Sequence, residues 1–161
     1  MLGRLDRGSA CVSVCGFALF AFATCAQAAE FKVIHAFNVV PDGEQPISGV
    51  ITDKAHNLYG TTRIEGTGSG GTIYKLAPDG TLSVLHAFAD DGSDNGFEPV
   101  GGLISDAAGN LYGTTDLGDN VFKIAPDGTE TNLYTFSGGD DGEYPLDALI
   151  RDKKEIGRAH V

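Results

Sequence analysis

Tryptophan is absent, Met1 is the one methionine, and past residue 28 the chain has no cysteine. All three cysteines, Cys11, Cys15 and Cys25, fall in an N-terminal stretch that reads as a removable leader. The rest of the chain can form no intramolecular disulfide, offers no thiol nucleophile and cannot build a Cys-ligated zinc site. Basic residues are scarce as well, 11 Lys and Arg against 22 Asp and Glu, for a net charge of −11. An acidic surface repels phosphate backbones and anionic lipid heads. It argues against nucleic acid and membrane surfaces as partners and leaves cations, neutral sugars or other proteins.

The two ends stand apart from the middle. Arg4 and Arg7 precede an apolar run from Ala10 to about Thr24, and Ala26-Gln27-Ala28 follows with the small-x-small pattern of a signal peptidase site. The expectation is a signal peptide over 1–28, cleaved after Ala28, with export to the periplasm, cell surface or medium. The run falls short of the roughly 20 apolar residues that span a bilayer and no other follows it, so no membrane insertion is expected after cleavage. At the other end, Glu155-Ile156-Gly157-Arg158-Ala159-His160-Val161 looks like the translation of a sequencing-library adapter and continues no earlier pattern. Removing both ends takes Arg4, Arg7 and Arg158 from the bases and Asp6 and Glu155 from the acids, so 29–154 carries a net charge of −12.

Within that span, Asn57-Leu58-Tyr59-Gly60-Thr61-Thr62 returns 53 positions later as Asn110-Leu111-Tyr112-Gly113-Thr114-Thr115. The flanks return too. Pro46-Ile47-Ser48-Gly49-Val50-Ile51-Thr52-Asp53 matches Pro99 to Asp106, and Tyr74-Lys75-Leu76-Ala77-Pro78-Asp79-Gly80-Thr81 matches Phe122 to Thr129. A third unit begins at Pro145-Leu146-Asp147-Ala148-Leu149-Ile150-Arg151-Asp152. Self-similarity at this period marks a tandem array of one supersecondary unit.

Each unit holds four short runs rich in β-branched and aromatic residues, divided by turn residues, with no helical periodicity. These predict strands A to D at about 49–53, 57–62, 71–77 and 82–88, then at 102–106, 110–115, 119–125 and 131–136. The A–B and C–D links are tight hairpins in which Gly80, Gly109 and Gly128 supply positive φ, and Pro78 and Pro126 preset the first turn position. Four strands so joined form an antiparallel meander. The predicted fold is all-β, a β-propeller built of four-stranded antiparallel blades at about 46–88 and 99–136, with another starting at 145. A β-solenoid is the alternative, but its shorter coils pair in parallel and need no hairpins. Phe31-Lys32-Val33-Ile34-His35-Ala36-Phe37 matches strand D and predicts an N-terminal closing strand. Two complete units cannot close a ring of at least about four blades. The sequence is therefore expected to be a fragment whose partners include missing C-terminal blades, with exposed flanks that favour self-association.

Leu103-Ile104-Ser105-Asp106-Ala107-Ala108-Gly109-Asn110-Leu111-Tyr112-Gly113-Thr114-Thr115, followed by Val121-Phe122-Lys123-Ile124-Ala125-Pro126-Asp127-Gly128, resembles the GloVer-type tandem repeat of secreted and surface-anchored bacterial proteins. The Asp-x-x-Gly-Asn-Leu-Tyr core is similar to the NHL class of propeller repeats. The resemblance covers about 31–152. It implies export, a propeller-like fold and often a C-terminal sorting signal, with no established activity and no catalytic residues to transfer. The first unit departs from the pattern by placing His56 where glycine is usual.

Meander geometry puts the A–B and C–D turns at one end of the blades and the B–C and D–A connections at the other. Loops of the second set vary in length, Arg63 to Gly70 against Asp116-Leu117-Gly118, and variable loops on a rigid scaffold carry recognition. Asp42, Glu44, Arg63, Glu65 and Asp116 are the ligand-face candidates, for a carbohydrate or protein ligand. Asp91, Ser93 and Asn95 alternate oxygen donors before Gly96 as calcium loops do. Gly102 stands where the bidentate Glu belongs, so solvated turns compete with a low-affinity Ca²⁺ site and no other cofactor is expected. His35 and His86 are equivalent, yet their third counterpart is Tyr134, which favours packing over zinc. Tyr59 and Tyr112 fit core better than sugar stacking, and the paired threonines lack a consistently placed histidine to activate them. The function expected is a non-catalytic recognition or scaffold module. The alternative is a lyase or hydrolase acting on polysaccharide or a cyclic peptide over the central channel.

Overall fold

The computed structural model describes residues 30–38, 40–90, 96–151 and the backbone of 156–158. The signal-peptide expectation over 1–28 and the calcium candidates Asp91, Ser93 and Asn95 lie outside the described residues. The chain divides into two compact units, Met1–Lys32 and Val33–Val161. Among the described residues every strand lies in the second, and there is no helix. None is therefore long and apolar enough to cross a membrane.

The first meander consists of β1 (Ile51–Thr52), β2 (Leu58–Thr62), β3 (Ser69–Leu76) and β4 (Leu82–Ala89), hydrogen-bonded in sequence order and antiparallel throughout. In the second, β6 (Ile104–Ser105), β7 (Leu111–Leu117), β8 (Asn120–Ile124) and β9 (Glu130–Thr135) repeat that order. A short strand, β5 (Phe97–Pro99), pairs with the far end of β7. These are the four-stranded antiparallel blades that the repeat predicts.

The turns follow their residues. Gly80 and Gly128 sit at φ 89° and 86°, and each donates its amide to the carbonyl of the alanine three positions earlier. Asp79 and Asp127 then accept the amides of Thr81 and Thr129 through a carboxylate oxygen. Gly109 closes the A–B turn at φ 85°. His56 takes the same left-handed conformation at φ 63° and makes the same turn bond, its amide donating to the Asp53 carbonyl. The turn survives the substitution, but a side chain there is strained by roughly 1–2 kcal/mol. His56→Gly relieves that strain and gives back part of it as unfolded-chain entropy. The expected net gain is about 0.5–1 kcal/mol, read as a raised urea midpoint at unchanged slope.

Strand A is the point at which expectation and structure differ most. Only two residues per unit remain in the ladder instead of about five. Upstream, the Glu44 to Ile64 bridge in the first unit and β5 in the second pair separately with the end of strand B. Between the two pieces the chain leaves the ladder. In that gap the second unit has Gly101, where a β-carbon would lie 2.5 Å from Thr114 Oγ1 and 2.8 Å from the Asp147 carbonyl of the third unit, and the first has Ser48, whose hydroxyl bonds Thr61 at 2.8 Å. Between β7 and β8 of the second unit lie Gly118 and Asp119, both at positive φ; the β7–β8 register ends at Thr114 opposite Val121, and the last residues of β7 pair with β5 instead.

Residues 33–38 form no ladder among the described residues; the closing role expected of them requires partner strands in blades beyond this sequence. They nevertheless repeat strand-D side-chain contacts. His35 meets Phe37 edge-on at 4.9 Å, as His86 meets Phe88 at 4.8 Å and Tyr134 meets Phe136 at 5.0 Å. The phenylalanine then docks on strand C of the following blade, Phe37 on Tyr74 and Phe88 on Phe122. The main core lies between the blades, where Ile73 and Phe88 of the first pack against Leu103, Leu111, Phe122 and Ile124 of the second. A smaller cluster of Tyr112, Val121 and Leu149 joins the second blade to the third unit. There β10 (Ile150–Arg151) pairs with β11 (Ile156–Arg158), so backbone read as lying outside the repeat takes the place of a strand B.

Candidate functional site

The most repeated polar residues are engaged in holding the fold. One Asp53 carboxylate oxygen accepts the amides of Ala55 and Asn57, and the other accepts Asn57 Nδ2 and the Tyr59 hydroxyl at 2.7 and 3.0 Å. Asp106 does the same with Ala108, Asn110 and Tyr112. This hub explains the Asp-Asn-Tyr spacing, since one side chain pins the turn, the entry to strand B and the tyrosine over the core. Four donors favour the charged form, the side-chain bond from the asparagine most of all, and hold each carboxyl down at about 2 against opposing burial. Burial first, then the aspartate bond, pushes both tyrosine hydroxyls up.

The paired threonines are equally committed. Thr72 donates its hydroxyl to the Asp42 carbonyl at 2.8 Å and accepts from the Thr62 hydroxyl, also 2.8 Å away, while Thr61 bonds Ser48 at 2.8 Å. All are fully buried, as are Thr114 and Thr115. Thr62 and Thr72 hold the D–A loop on strands B and C, and among the described residues no histidine or carboxylate side chain is hydrogen-bonded to any of these threonine hydroxyls.

The ligand-face candidates gather where the meander places them. Glu44 exchanges backbone hydrogen bonds with Ile64, which brings the first D–A loop against the B–C loop holding Arg63 and Glu65. Glu65 sits at φ 61° and bridges to Gly70. Asp42 is nearly buried and accepts from His35 at 3.0 Å. Arg63 and Asp116 occupy equivalent positions of successive units and meet across the blade boundary at 3.3 Å, with Glu98 at 2.7 Å completing an ion cluster. Spacing alone assigned these residues to one end of the blades but could not show that they touch. Glu98 was legible only as one acid among several in its loop. His35 and His86 place Nε2 at 3.0 and 3.1 Å from carboxylate oxygens of Asp42 and Glu130. No group of three or more His, Cys, Asp or Glu placed to hold a metal occurs among the described residues.

A cleft of about 540 Å³ opens at the other end, between the A–B turns of the two units. Ile51, Tyr59 and Leu111 form its floor, with Thr52, Lys54, Ser105 and the two hub aspartates around it. Sequence reasoning passed over this end because its turns are short and nearly identical. A cavity between two such turns depends on blade spacing, which no single turn encodes.

The family model described as the Gloeobacter/Verrucomicrobia repeat matches residues 18–157. No curated protein matches the chain. Among solved structures it is similar to a streptogramin B lyase, at 17% identity over 62% of this chain and 28% of that one, with a TM-score of 0.42. It is also similar to a protein described only provisionally as a gluconolactonase, at 23% identity over 62% of this chain and 36% of that one, with a TM-score of 0.41. The chain thus spans about a third of the length of each.

Proposed function

We propose, from the premise that the chain belongs to the Gloeobacter/Verrucomicrobia repeat family, that it is an exported β-propeller repeat module. It binds or scaffolds a carbohydrate or protein ligand at the cell surface or in the periplasm, without catalysis. One observation carries this reading. The polar side chains that recur from unit to unit, Asp53 and Asp106, Tyr59 and Tyr112, and the buried threonine pairs, are bound into the scaffold. What varies is the B–C and D–A end, with Glu44, Glu65, buried Asp42 and the Arg63–Asp116 cluster, and variable loops on a fixed frame are where recognition resides. The apolar run and Ala-Gln-Ala site at the N-terminus support export.

Two measurements test the proposal. Residues 1–28 fused to a phosphatase that is active only after export should yield a periplasmic reporter, and cytoplasmic retention overturns the location. On a glycan and surface-protein array, binding by the protein should fall at least about tenfold in a Glu44→Ala/Glu65→Ala variant whose melting is little changed. Turnover of a polysaccharide or cyclic peptide, abolished by the same substitutions, overturns the non-catalytic assignment.

A further inference from the structure

We propose that the cleft between the A–B turns of the two units is a binding site for a guanidinium group. The chain itself shows what fits. Thr52, Ser105 and Arg151 are equivalent, each following the isoleucine that opens strand A of its unit. At the junction between the second and third units, Arg151 reaches across and donates from Nη1 to the Ser105 carbonyl at 3.3 Å. Its charge is felt at the neighbouring hub. Burial and the Asp106 bond push the Tyr112 hydroxyl up, and Arg151 pulls the other way.

The first junction has the same hub, Asp53 with Asn57 and Tyr59, and the same strand pairing, with Thr52 opposite Leu58 as Ser105 is opposite Leu111. Its arginine position, however, is Ser105, and the space is the 540 Å³ cleft. The acceptor that corresponds to the Ser105 carbonyl is the Thr52 carbonyl. Both oxygens of Asp53 and of Asp106 already take two donors each, so the carboxylates act on a ligand as fixed negative charges and not as new hydrogen-bond partners. A planar, weakly hydrated cation suits this setting better than an ammonium, because it can lie against the half-buried Tyr59 ring while donating to a carbonyl. Lys54 on the rim opposes any cation, and with the two aspartates it leaves the cleft at a net charge of −1. This site lies at the opposite end of the blades from the proposed ligand face and stands or falls independently of it.

The test is an NMR titration of the protein with N-acetyl-arginine amide, with the neutral isostere N-acetyl-citrulline amide, and with the peptide Gly-Arg-Gly. Saturable shifts at the Thr52, Ser105 and Ala107 amides are expected, with Kd on the order of millimolar for arginine and at least about tenfold weaker binding of citrulline. Equal affinity for the first and third probes indicates that a free guanidino compound suffices. Tighter peptide binding indicates an arginine side chain of a partner polypeptide. Ser105→Arg fills the cleft from within and should abolish the shifts, and Lys54→Ala should tighten arginine binding about threefold. Citrulline binding as well as arginine, shifts that never saturate, or shifts that persist in a folded Ser105→Arg protein each overturn the proposal. If that variant does not fold, the Lys54→Ala and citrulline comparisons decide.

Discussion

Phe88→Ala should lower the unfolding free energy by about 3–5 kcal/mol, whereas Phe136→Ala, at the equivalent position of the next unit, should cost less than about half of that. Phe88 is 1% exposed and its ring meets Phe122 at 5.2 Å, inside the cluster that joins the two blades. Phe136 is only half-buried and packs on the smaller cluster with Leu149. The two substitutions remove the same atoms from equivalent repeat positions, Phe88 inside β4 and Phe136 one residue past the end of β9, so any β-propensity difference is small beside the burial difference. What remains is the presence of a following blade. A domain is stable by only about 5–15 kcal/mol in total, so losing Phe88 approaches the unfolding threshold. Phe88→Leu, expected to cost about 1–2 kcal/mol, keeps the comparison measurable if the alanine variant does not fold. Urea midpoints at constant slope are the readout. Equal losses at the two positions would mean that stability resides within each sheet and not between sheets, contrary to a blade-on-blade core.

That contrast also marks where the sequence stops being legible. Gly80, Gly109 and Gly128 could be placed at positive φ because a tight hairpin demands it locally, and the internal repeat set out strands B, C and D in order. Strand A could not be bounded, because each unit keeps only two residues of it in the ladder although the position where the chain leaves is Ser48 in one unit and Gly101 in the other. The recurring Gly-x-x-Pro of the D–A loops was equally opaque. Gln45, Glu98 and Tyr144, each just before the proline, all adopt left-handed φ between 54° and 59°, yet share no chemistry that would announce it. The Asp-Asn-Tyr hub was visible as spacing and invisible as function, since spacing does not say whether a carboxylate faces a ligand or its own turn. The meeting of Arg63 with Asp116 needed two blades side by side. In each case local rules set the turns and strands, and contacts between units set the rest.

Between about pH 4 and pH 2 the protein should lose stability steeply, and the Asp53→Asn/Asp106→Asn variant should lose roughly half as much over that window. Both carboxyls are depressed in the fold to about 2 from an ordinary value of 3.8. A group whose folded pKa is lowered contributes stability that is fully present above its unfolded pKa. That contribution disappears as pH falls through the folded pKa, so the loss begins near pH 4 and ends near pH 2. Asp79, Asp127 and Asp141 are lowered too, the first two by the amide and hydroxyl of the threonine two residues on, Asp141 foremost by Ser137. They supply the slope that the double variant keeps. At pH 7 the variant starts less stable, because an asparagine cannot give the turn amides, the Asn57 and Asn110 side chains and the tyrosine hydroxyls a charged acceptor. The urea midpoint against pH for the two proteins should therefore converge as pH falls. Parallel curves would mean that these aspartates are ordinary exposed carboxyls and that the repeated Asp-Asn-Tyr spacing is held by something other than the four hydrogen bonds at each hub.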